Sequence, residues 1–89
     1  MTTHGTFQSL RAQILDNFSI TMPEHLKTKV VLAHHNNTWW CIVYGNDSKP
    51  IWKTGKGCET PELALRKMLV SSSDMVFDKF QKDGFGLDP

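Results

Sequence analysis

Cys58 is the nucleophile placed most suggestively in the chain. It lies in Thr54-Gly55-Lys56-Gly57-Cys58-Glu59-Thr60-Pro61, a Gly-rich stretch that leads from a strand to a helix start. A helix N-terminus lowers the pKa of a nearby thiol. No His is set beside Cys58 by the sequence, so a small enzyme using Cys58 is the minor reading and a non-enzymatic protein the expected one. The same loop suggests phosphate binding, with free amides, a helix dipole and Lys56 as counter-charge. Its spacing is not that of a Walker A loop. Glu59 and Glu62 also put negative charge where a phosphate would sit, which favours an ordinary β-to-α turn.

Other chemistry is weaker. His34, His35, Cys41 and Cys58 are metal-ligating types, but they show no C-x-x-C or H-x3-H spacing. Adjacent His34 and His35 point to opposite faces of a strand and cannot chelate together. No metal or cofactor is expected. Asp74 and Asp78, at i and i+4, read as the solvated face of a helix.

Two surfaces for binding macromolecules stand out. Lys49, Lys53 and Lys56, with Trp52 among them, are candidates for nucleic-acid binding: lysines on phosphates and a ring stacked on a base. Alternation places Lys49, Ile51 and Lys53 on one face of a strand and Trp52 on the other, in the core. Lysines along an edge strand also serve as a guard against edge-to-edge pairing. The aromatic set Trp39, Trp40, Tyr44 and Trp52 is the candidate protein-binding surface, since Trp and Tyr are common interface anchors.

These residues need a frame to hold them. Eighty-nine residues make one domain, 1–89, with flexible ends expected at 1–5 and 84–89. Apolar residues form 39% of the chain, which is too many for a disordered segment. A formal net charge of +1 is low for a dedicated nucleic-acid-binding domain. Two cysteines in unlike contexts read as free thiols in a reducing compartment. No apolar run follows Met1, and the longest, Trp39 to Tyr44, is far too short to span a bilayer. A cytoplasmic protein with no membrane association is expected.

Phe7, Leu10, Ile14 and Phe18 recur at helical spacing and predict a helix over 6–18, with Gly5 or Thr6 as its cap. Residues 19–27 form a connection, with one further helical turn expected at Pro23-Glu24-His25-Leu26. A strand over 29–35, an Asn36-Asn37 turn and a second strand from Thr38 predict a hairpin. Its register then follows by counting: His34 faces Trp39, Leu32 faces Cys41, and Val30 faces Val43. A turn at 45–48 leads to a short edge strand over 50–54, where Pro50 lacks an N–H. Thr60-Pro61-Glu62 opens a long helix with Ala64, Leu65, Met68, Leu69, Met75, Val76 and Phe80 along one side. That helix either runs unbroken through Ser72 or breaks at Ser71-Ser72-Ser73, and Gly84 and Gly86 end it.

The fold class is therefore α+β: a three-stranded antiparallel sheet in α-β-β-β-α order. Its middle strand is apolar on both sides, with Trp39, Cys41 and Val43 on one and Trp40, Ile42 and Tyr44 on the other. A strand with one wet face alternates. Two assemblies fit. One helix covers each face, in three layers, or both helices share one face and the other is left for a partner or a second subunit.

The run from Trp39 to Leu69 is an aromatic strand, a turn, a short strand, Gly-x-Gly, then Thr-Pro-Glu-Leu-Ala-Leu. It resembles the small phage and prophage proteins of the ABA-sandwich kind, and second the HicB-like antitoxin fold. The first resemblance implies a phage- or mobile-element-type accessory protein without catalytic residues. Such a protein is expected to bind another protein, inhibiting a host defence or regulatory complex. A homodimer also fits.

Overall fold

The computed structural model describes residues 3–82, with side chains from Thr6 onward. Its elements are α1 (Thr3–Thr21), β1 (Lys29–His35), β2 (Thr38–Tyr44), β3 (Pro50–Lys53) and α2 (Pro61–Lys82). The strands form one antiparallel sheet in the order β1-β2-β3. The expected α+β class and element order are present.

The β1–β2 hairpin turns on Asn36 and Asn37, at φ 52° and 61°. Two successive positive φ values match the right-handed twist of the strands, and Asn adopts them at low cost. The resulting register pairs Val30 with Val43, Leu32 with Cys41, and His34 with Trp39, as counting from the turn predicts.

Both helices lie on one side of this sheet. Val30, Cys41 and Val43 point into a core with Leu10, Ile14 and Phe18 of α1 and Ala64, Leu65 and Met68 of α2. The helices also pack on each other, which helices on opposite faces of a sheet cannot do. The three-layer assembly is thus replaced by a two-layer one. Small, fully buried Ser72 lets the helices approach. Asn17 Nδ2 of α1 donates to Ser72 Oγ at 2.9 Å and Ser73 Oγ at 3.2 Å. Ser72 Oγ in turn donates to Leu69 O at 3.1 Å. That bond, inside the helix, is why the serine run does not cap a new one, and α2 continues to Lys82.

The remaining departures are local. α1 starts earlier than the apolar stripe, at Thr3, so neither Gly5 nor Thr6 is its cap. It ends before Pro23, which disfavours helical geometry at Met22. No helical turn forms at 23–26; His25 N–H donates to Met22 O at 3.0 Å in a simple turn. The expected stop at Gly84 and Gly86 and the C-terminal tail lie outside the described residues. At its other end α2 starts as its sequence predicts. Leu63 N–H donates to Thr60 Oγ1 at 3.1 Å, and Glu62 pairs with Arg66 at 3.0 Å.

β3 is an edge strand, but a bulge breaks its alternation. Val43 pairs with Trp52 and Tyr44 with Pro50, leaving Ile51 between them. Ile51 packs against the core, while Lys53 pairs with Ile42 on the far face, so the two do not share a face. Trp52 is not a core residue; at the sheet edge it stays 40% exposed.

Candidate protein-binding face

The far face of the sheet is built from Lys29, Val31, Ala33 and His35 of β1, Thr38, Trp40, Ile42 and Tyr44 of β2, and Lys53 of β3. Neither helix covers it. Trp40, Ile42 and Tyr44 run down its centre, all half-buried, and Val31 beside them is 38% exposed. Apolar side chains in a row on an uncovered sheet form a candidate docking surface.

The aromatics on this face are held in place. Trp40 Nε1 donates to Thr38 Oγ1 at 3.1 Å, and that hydroxyl donates to His35 O at 2.7 Å. Lys53 Nζ lies 5.2 Å from the centre of the Trp40 ring, a cation–π contact. At the other end, Lys27 and Lys29 border a shallow cleft of about 430 Å³ lined by Val31, Tyr44 and the Gly45–Ser48 turn. Asn46 of that turn accepts from Lys27 N–H at 2.6 Å and donates to Glu24 O at 2.9 Å. Gly45 packs so close to the His25 ring that a Cβ there would collide with it. The face is therefore apolar along its middle, basic at one end with Lys27 and Lys29 and along the β3 edge with Lys53, and the strands place no acidic residue on it.

The structure separates the four aromatics singled out from sequence. Trp40 and Tyr44 share the uncovered face. Trp39 turns to the helix side, packs against the core and stacks on His34 with ring centres 4.5 Å apart. Trp52 stands at the β3 edge. Ile42, Val31 and Lys29 belong to the uncovered face and were not singled out. Their signal was present in the register, which puts them beside Trp40 and Tyr44.

The lysines are dispersed as well. Lys53 is on the uncovered face and Lys49 precedes β3. Lys56 lines a separate cleft of about 460 Å³ with Leu63, Arg66, Lys67 and Val70 of α2. Compared with known protein families, curated proteins and solved structures, the chain has no match. Its own geometry is what bears on function.

The Gly-rich loop is explained by packing. Thr54 N–H donates to Cys41 O at 3.0 Å, and Cys58 and Trp39 exchange two backbone hydrogen bonds, at 2.7 and 2.9 Å. The loop is thus an arch pinned to β2 at both feet, and the amides of Thr54 and Cys58 are spent on the sheet. Gly57 passes so close to Thr38 that a Cβ would clash with it. Cys58 is buried, and its thiol donates to Lys56 O at 3.8 Å. Among the described residues, no group of three or more His, Cys, Asp or Glu could hold a metal ion. No helix described is long and apolar enough to cross a membrane.

Both cysteines are free. Burial pushes the Cys41 thiol from 9.0 up to about 11; Arg11 opposes this and Cys58 adds to it. In the unfolded chain the thiol ionises near 9, so above that pH the unfolded state binds fewer protons than the folded one. Stability is then lost as pH rises from about 9 to about 11, by on the order of 2 kcal/mol. Urea melts across that range should show the decline in the wild type and a shallower one in Cys41→Ala. Equal slopes in the two proteins would show that other groups cause it.

Proposed function

We propose that this chain is a small, non-enzymatic protein-binding module that docks a partner on the uncovered face of its sheet. The observation that carries this reading is the placement of both helices on one side, which leaves Val31, Trp40, Ile42 and Tyr44 uncovered. Sheet faces that serve only the fold alternate toward polar residues on the wet side. Lys29 and Lys53 at its borders favour a partner with an apolar centre and an acidic rim, since complementary charge steers association and fixes register. An accessory protein of a phage or mobile element, blocking a host defence or regulatory complex in the host cytoplasm, fits such a surface. The test is affinity purification with wild type and Trp40→Ala, followed by calorimetric titration of the recovered partner. A partner held equally well by both proteins would sink the proposal.

A second reading rests on the contact between Lys53 and Trp40. A cation and a stackable ring on one open surface also suit single-stranded nucleic acid. On that reading Lys53→Glu weakens binding of a single-stranded oligonucleotide and lowers the salt slope by about one unit. Oligonucleotide affinity that is absent at low salt, or unaltered by the substitution, ends it. Catalysis by Cys58 gains no support from a buried thiol already bonded to a carbonyl.

A further inference from the structure

α2 carries a second apolar stripe that the core does not use. Leu63, Val70 and Phe77 are 44%, 62% and 57% exposed. They are spaced seven residues apart, so they fall within a narrow strip on the side of the helix away from Met68 and Ser72. Isolated exposed apolar residues are ordinary, but three in line on one helix form a seam.

Two of the charges beside this seam are arranged with a symmetry of their own. Val70 is its midpoint: Leu63 and Phe77 lie seven residues to either side, and Arg66 and Asp74 four to either side. Arg66 and Asp74 are both exposed and both flank the seam. Turning a second copy of α2 antiparallel, about an axis through Val70, brings Leu63 against Phe77 and Arg66 against Asp74, twice each. A two-fold interface requires this self-complementarity, in which each patch meets its own opposite. Arg66 can keep its bond to Glu62 and still meet a second carboxylate, because guanidinium carries five N–H donors. Glu62 and Asp78 come together only at the rim, with Arg66 next to them.

We infer that the chain forms an antiparallel two-fold dimer through the outer face of α2, centred on Val70. A single helix pair is small beside stable interfaces of about 1,200–2,000 Å², so the dimer is reversible and concentration-dependent. Pairing through α2 leaves the uncovered sheet face of each copy free, giving a bivalent module. The two surfaces are separate, and either can fail its test alone.

The experiment is sedimentation equilibrium of the full chain over a wide concentration range, with charge-swap variants. Arg66→Asp and Asp74→Arg each replace two attractive pairs by repulsive ones and should weaken the dimer about tenfold or more. The double variant restores both pairs in reversed polarity and should return close to wild-type affinity. Val70→Cys should cross-link on mild oxidation, since the two copies meet at the axis and both native thiols are buried. Ser73→Cys, off the axis, should not. These sites are on the surface, so circular dichroism should show an unaltered fold. A chain that stays monomeric with no Val70→Cys cross-link overturns the inference. So does a dimer indifferent to Val70→Asp, or a charge swap that fails to restore association.

Discussion

Phe18→Ala is expected to lower stability by about 3–5 kcal/mol, the largest effect of any single truncation among the described residues. Phe18 is fully buried, and it is the largest such side chain among the described residues. It sits in the core where α1, α2 and the sheet meet. Loss of its ring removes apolar burial and leaves a cavity that rigid neighbours cannot fill, Ile14, Leu65 and Met68 being themselves fully buried. A domain of this size has only a few kcal/mol to lose. The variant should therefore be largely unfolded at room temperature, which far-ultraviolet circular dichroism and a urea titration would show. A loss under about 1 kcal/mol would mean that α1 is not packed as described.

The second large effect is on binding. Trp40→Ala should cost about 2–4 kcal/mol of partner affinity, a drop of roughly 30- to 1,000-fold. Its neighbour supplies the control. Trp39 is one residue away and chemically identical, but it packs against the core and stacks on His34. Trp39→Ala should lower stability by about 1–3 kcal/mol, less than a fully buried Trp because the ring is half-buried. It should leave the affinity of the folded fraction near that of wild type. Calorimetric titration for affinity and thermal melts for stability separate the two. The docking-face assignment fails if the two substitutions have the same profile, or if Trp39→Ala is the one that abolishes binding.

Trp39 and Trp40 also show how far the sequence could be read. Period-two alternation separates them onto opposite faces without further information, and the Asn36-Asn37 turn then assigns a partner to every residue of β1. What alternation could not supply is which face the helices would take. That choice rests on contacts between α1 and α2, residues more than fifty positions apart, such as Asn17 with Ser72. A serine in the middle of an apolar stripe can read as a helix break or as the close approach of two helices. Only the partner distinguishes them.

Trp52 shows a different failure. Strict alternation sends it to the core, and its pairing with Val43 keeps it on the helix side, but at the sheet edge it stays 40% exposed; the bulge opposite Val43 and Tyr44 instead brings Ile51 against the core. A bulge carries no reliable local signature, so a four-residue strand is read poorly even where its neighbours are read well.

The sequence by itself determined the element order, the hairpin register and the start of α2. Each depends on short-range chemistry: positive φ at two asparagines, Thr60 as a cap, and apolar spacing along a helix or strand. The tertiary structure alone decided that both helices share one face. Helix packing is settled by side-chain fit between distant segments, which no local pattern encodes. That decision converts the doubly apolar strand from Trp39 to Tyr44 into a core on one side and an exposed surface on the other.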